Sequence, residues 1–322
     1  LPEAVLQDTG AGAVRGIALA NLCFLLLAVG DVATVWVLPV LGVAGAMLGR
    51  GVAGAATVAL LARRGAEAPR RLMPVRRWMV GLRSLLHALA SLTFYLAWSW
   101  SVGLADSYAI GYATPLLMIL LAGPMLGERI GWDRGLATWI GFLGMLVMLR
   151  PGGDLWQPAT PLLLAGVAGL ALSRNLTRLL ATTETPECLA FWLMLAHLPV
   201  GGLMLALGFA PPRVDAVVVA GVLVLGLTNG VAHWLHSRAC ALAPMAALAP
   251  YEYVGLIWAF LLGYLAFHQV PAAWTMGGAT VVVAAGIYTF GREHRRSRAE
   301  RAAGLGGALA VVAPAVARVA DR

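Results

Sequence analysis

Long apolar runs, separated by short polar joints, recur along the whole chain. Ten of them approach the roughly 20 residues a helix needs to cross a bilayer. They lie at about Arg15–Leu38, Leu41–Leu61, Trp78–Val102, Ser107–Leu126, Arg134–Leu149, Pro161–Leu180, Glu187–Phe209, Ala216–Cys240, Met245–Phe267 and Ala273–Phe290. Most joints are short, so neighbouring helices should run antiparallel. The pattern predicts an all-α polytopic membrane protein. Residues 304–320 are apolar too, but they are small and interrupted by Pro314 and Arg318, which reads as a loose tail.

The pattern repeats. Tyr108–Arg150 is an apolar span, a polar turn at Gly127-Glu128-Arg129 and a second span ending in Arg150-Pro151-Gly152; Ala249–Arg292 is a weaker copy. Five spans per half is an odd number, so two homologous halves must insert in opposite senses, as an inverted-topology repeat. The predicted organisation is an N-terminal segment (1–14), a first five-helix repeat (15–152), a second (153–292) and a basic C-terminal tail (293–322). Sliding Phe94–Pro115 onto Ala232–Tyr253 without gaps sets Tyr95 on His233, Trp98 on His236 and Ser91 on Asn229.

Composition agrees: 60% of the 322 residues are hydrophobic and 12% charged, where a soluble domain is near a quarter charged. The net charge of +8 comes wholly from arginine, there being no lysine. These arginines cluster in the joints, with no compact basic face for nucleic acid. Arg63, Arg64, Arg70, Arg71, Arg76 and Arg77 fill one loop, and Arg129, Arg134, Arg178, Arg238 and the group after Arg292 fall on the same side if both termini are cytoplasmic. Positive charge favours that side. The first span is expected to be retained. Cys23, Cys188 and Cys240 lack metal-type spacing and read as small apolar residues.

Polar side chains inside the spans carry the candidate chemistry. His87, Ser91, Tyr95 and Trp98 share one face of the third span; Asn229, His233, His236 and Cys240 share one face of the eighth. Lipid does not accept such faces, so they should look into a cavity or bond between helices. Their equivalence across the repeat favours a cavity on the pseudo-two-fold axis. Tyr108, Tyr112 and Pro115 add a face of the fourth span; Tyr251, Glu252, Tyr253 and Trp258 belong to the ninth, beside Pro250. Each proline can break its helix at the cavity. Glu252 is either a substrate or proton site or a paired carboxylate near the interface. Asp31 and Arg50 flank one turn at similar depth, about 10–14 Å from it at 1.5 Å per residue, and are expected to pair, with gating as a second role. Arg174 falls near the repeat partner of Asp31 and could attract a carboxylate.

The run Pro115…Leu126-Gly127-Glu128-Arg129…Gly144…Leu149-Arg150-Pro151-Gly152, with its copy Pro250…Phe267-His268-Gln269…Gly286…Arg292, resembles the EamA-type members of the drug/metabolite transporter (DMT) superfamily. The copy departs from the family pattern in having His268-Gln269 where Gly-Glu is usual. The resemblance implies ten helices, cytoplasmic termini, a bacterial inner membrane as location and alternating access through a central cavity. It makes the chain a secondary transporter, and an exporter of amino acids or similar amphipathic metabolites is the favoured reading. Nucleotide-sugar, sugar-phosphate or drug carriage is the alternative. The expected partners are a small solute and the bilayer, with a proton as one candidate coupling ion; a monomer or weak dimer is expected, and no cofactor, metal or nucleic acid. An intramembrane enzyme is the competing class, but neither Gly-x-Ser-x-Gly nor His-Glu-x-x-His occurs.

Overall fold

The computed structural model describes residues 10–63, 72–111, 113–126, 136, 139–140, 142–144, 146–147, 158–209, 216–242, 254–268, 270, 273–281, 283–285 and 287–288. Among them the regular structure is helical, with no strand. The Gly127–Arg129 turn, Pro250 and the tail from 293 lie outside the described residues.

The run Gly10–Ala62 holds the first two expected spans. Straight, it would be more than twice as long as the ~30 Å hydrocarbon core. It reverses at Gly42, whose φ of 62° and ψ of 177° suit a residue without a Cβ. Residues 10–41 are here α1 and residues 43–62 are α2. Tyr95 marks the fold-back: its hydroxyl lies 3.4 Å from Thr34 of α1 and 3.1 Å from Arg50 of α2.

The chain continues as α3 (Arg77–Ser99), α4 (Leu104–Gly111), α5 (Thr114–Leu126), α6 (Ala159–Leu180), α7 (Pro186–Leu195), α8 (His197–Ala206), α9 (Ala216–Leu242) and α10 (Val254–Phe267). Two expected spans are therefore broken, each by a proline. Pro115 collides with the carbonyl four residues back, and α4 stops at that residue, Gly111. Pro199 likewise offers no N–H to Leu195, where α7 stops.

Small residues set the packing. Along α2 and α9, Gly49 meets Val222, Ala53 meets Gly226 and Thr57 meets Gly230, so these helices run parallel. Along α1, Val37 meets Gly221, Gly30 meets Asn229, and Cys23 clusters with Ala232 and Leu235, so α9 is antiparallel to α1. The contact of α3 with α6 is antiparallel too: Thr93 meets Gly166, Ala90 meets Gly169, and Arg83 donates to Thr177 Oγ1 at 2.8 Å. A glycine or alanine at each crossing lets two backbones approach closely.

The bundle is polar inside and apolar outside. On α3, Arg83, His87 and Ser91 are buried while Leu85 and Leu89 are exposed; on α9, Thr228, Asn229 and His233 are buried while Val217, Leu223 and Leu227 are exposed. That inversion suits a lipid surround, in which a polar group must find its partners in protein. Five described helical stretches, the α1–α2 hairpin and the α7–α8 pair each counted as one, are long and apolar enough to cross a membrane. The chain is a multi-pass helical membrane protein. At one end, Glu184 accepts from the backbone N–H of Val75 and Arg76 at 3.0 and 2.7 Å, and Trp192 donates to the Leu72 carbonyl at 2.9 Å. The α6–α7 turn is thereby tied to the segment that leads into α3.

Candidate functional site

A cavity lies where α1, α2, α3, α4, α5, α6, α9 and α10 converge. The stripe on α3 supplies His87, Ser91, Tyr95 and Trp98, and that on α9 supplies Asn229 and His233. Asp31 reaches it from α1, Arg50 from α2, Tyr108 from α4 and Arg174 from α6. His236 stays off its wall, with Nδ1 3.5 Å from Cys240 Sγ one turn on. Trp258 is half-buried in α10 and is not on the wall either. Tyr112, Tyr251, Glu252 and Tyr253 lie outside the described residues.

Arg50 sits at the centre of a hydrogen-bonded cluster. Its Nη1 donates to the hydroxyls of Tyr95 at 3.1 Å and Ser91 at 3.4 Å, and its Nη2 is 3.2 Å from His233 Nε2. A guanidinium can only donate, so His233 Nε2 is the acceptor and the neutral ring carries its proton on Nδ1. The chain goes on to His197. Its Nδ1 is 2.9 Å from the Leu193 carbonyl, which can only accept, so that nitrogen bears a proton, and its Nε2 lies 3.3 Å from Ser91 Oγ. His87 stands edge-on to His233 with ring centroids 4.7 Å apart. His233 and His197 are occupied by Arg50, Ser91 and a carbonyl, and among the described residues no three His, Cys, Asp or Glu side chains are grouped to hold a metal.

The expected Asp31–Arg50 ion pair does not form. Asp31 accepts from the Tyr108 hydroxyl instead, while Arg50 is held by neutral groups. The reversal at Gly42 does place them on one cavity, as equal depth implied, but they take different partners there. Arg174 lies over the Phe24 ring, 5.9 Å from its centroid. Tyr95 and Trp98 stack at 5.6 Å and 28°, and Phe94 meets Trp98 edge-on at 6.1 Å. A flat aromatic wall thus faces charged and polar groups.

Several buried polar atoms on this cavity have no partner: Arg50 Nε, Trp98 Nε1, Thr114 Oγ1 and Asn229 Oδ1. Buried polar groups are ordinarily satisfied, and their absence of partners marks a place for a bound molecule or water. Sequence reasoning missed Phe24, Leu27, Phe94, Leu170 and Thr114 on the wall. The aliphatic ones have the same residue type as lipid-facing neighbours, so no sequence signal separates them. Thr114 could have been found, since it adjoins Pro115 and the predicted helix break.

No family model matches the chain. Among individual proteins, it is 34% identical over 208 residues to a riboflavin transporter of Rhizobium johnstonii, covering 62% of this chain and 68% of that one. It is 26% identical over 221 residues to a riboflavin transporter of Vibrio cholerae, covering 68% and 74%. An S-adenosylmethionine uptake transporter of Rickettsia prowazekii is 24% identical over 216 residues, with 64% and 71% covered. A crystal structure of another protein superposes with a TM-score of 0.63 at 20% identity, over 89% of this chain and 98% of that one, which shows a shared fold.

Proposed function

This chain belongs to the family of the Rhizobium johnstonii riboflavin transporter, and from that kinship we propose that it is a secondary transporter carrying a small organic solute through the central cavity by alternating access. The observation that carries the reading is the set of unpartnered polar atoms beside an aromatic wall in this cavity, since small-molecule sites join apolar walls to a few placed polar groups. A membrane interior tolerates such groups where they meet a solute or water. The resemblance of the Pro115…Gly152 run to EamA-type DMT transporters supports the reading.

The two halves, 15–152 and 153–292, are proposed as inverted repeats that rock against each other. Reciprocal packing supports this: α1 lies antiparallel on α9, and α6 lies antiparallel on α3. In the register that sets Ser91 on Asn229, the Gly30–Asn229 contact falls within one residue of the Gly169–Ala90 contact. Both termini are proposed as cytoplasmic, in an inner membrane. The knot of Glu184 with the residue 72–76 segment supports it by bringing Arg76, Arg77 and the turn after Arg178 to one end of the bundle.

For cargo, the relatives' solutes suggest a fused heteroaromatic metabolite, which the Tyr95–Trp98 wall would stack. Amino-acid export is the second reading. It is favoured by Asp31 and Arg50 facing one cavity unbridged, where they could meet an ammonium and a carboxylate. Uptake of labelled riboflavin, S-adenosylmethionine and an amino-acid panel into proteoliposomes tests both. Saturable uptake accelerated by unlabelled solute inside is expected, and response to an imposed pH gradient would mark proton coupling. Linear, uncompeted flux of every solute would contradict a carrier.

A further inference from the structure

We propose that Arg50 selects for an anionic group on the solute, so that the preferred cargo pairs an aromatic ring system with a carboxylate or phosphate. The proposal rests on the cavity being the solute site and goes further by giving the solute a charge.

Arg50 is 4% exposed within an apolar helix, and a buried guanidinium ordinarily finds a carboxylate. Here its described partners are two hydroxyls and a neutral imidazole. The one described carboxylate on the cavity, Asp31, is bonded by Tyr108. Arg50 Nε has no partner and Nη2 makes a single bond, to His233. The Nε–Nη2 edge is the one that grips a carboxylate or phosphate through two parallel N–H donors. Tyr95, Ser91 and His233 occupy the rest of the fork and fix its plane, so this edge is pre-organised.

As the acceptor of a bond from Arg50, His233 is neutral and adds no second positive charge beside the guanidinium. Trp98 Nε1 adds another unpartnered donor at the aromatic wall. Arg50 itself lies 5.9 Å from the centroid of the Tyr95 ring, which stacks on Trp98. An anion on Arg50 would therefore hold its attached ring against that pair. Riboflavin is neutral and S-adenosylmethionine carries a net positive charge, so this chemistry would set the chain's preference apart from the solutes for which its relatives are named.

Matched pairs of one ring system with and without an anion test this on the purified full chain. Riboflavin is compared with flavin mononucleotide, and indole-3-acetamide with indole-3-acetate, by thermal shift and by competition for uptake. In each pair the anionic member should half-saturate at a concentration at least about tenfold lower, the scale of one charge-assisted pair. Arg50→Gln should abolish that difference while leaving the neutral member's binding in place, and Arg50→Lys should restore part of it. Equal binding of both members by the unmodified chain would overturn the proposal without any variant having to fold. An anion preference that survives in Arg50→Gln would overturn it also. Binding of neither member of any pair would remove the proposal together with the cavity's reading as a solute site.

Discussion

Arg50 is held by acceptors that come from two other helices, α3 and α9, and none of them is charged. Tyr95 Oη is its shortest bond at 3.1 Å and also lies 3.4 Å from Thr34 Oγ1, so one hydroxyl ties α3 to both arms of the α1–α2 hairpin. Tyr95→Phe keeps the ring and removes that tie. The expected loss is about 1–3 kcal/mol, the cost of leaving a buried polar partner short of a bond, read as a lower unfolding midpoint in detergent. An unchanged midpoint would mean that Arg50 finds another acceptor in the cavity. Spacing alone put His87, Ser91, Tyr95 and Trp98 on one face, because helical geometry is periodic and those residue types stand out in an apolar run. Their partners were not legible. Whether Asp31 meets Arg50 or Tyr108 depends on side-chain reach across helices that are distant in sequence, and periodicity carries no information about that choice.

The helices meet through small residues more than through polar ones. Gly226 of α9 lies so close to α2 that an added Cβ would meet the Ala53 side chain and approach its carbonyl carbon to 2.8 Å. Backbone cannot yield as a flexible side chain can. Gly226→Ala should therefore destabilise by about 1–3 kcal/mol through overpacking, whereas Gly202→Ala, with open space within 4 Å, should cost nothing. Thermal unfolding of both variants checks the contrast, and equal midpoints would contradict the close α2–α9 crossing. The apolar runs made the existence of the helices legible, and the turn expected at Leu38–Leu41 is the reversal at Gly42. The break at Pro115 was legible for the same reason, since a proline acts through its own missing N–H and ring. The break at Pro199 was equally available in the sequence and was passed over inside a long apolar run. Which helices pair was not written locally: the fit of Gly226 on Ala53 comes from close shape across the bundle.

On the scale of the whole molecule, a bundle apolar outside and polar within closes eight helices on a cavity that holds both signs of charge. The relatives it matches are named as transporters, and the cavity offers the proposed transport a place. Thr114 offers the most direct probe, because its buried hydroxyl has no partner and it lines the cavity at the Pro115 break. Cysteine there is nearly isosteric and sacrifices no bond in the described structure. The deciding measurement is transport by Thr114→Cys, in a background with Cys23, Cys188 and Cys240 replaced, before and after modification with a small thiol reagent. If the cavity is the solute path, the variant transports before modification and stops after it, and the solute present during the reaction slows the labelling. A fully labelled protein that transports at its unlabelled rate would contradict the account, because the solute would then cross by a route that the cavity does not provide.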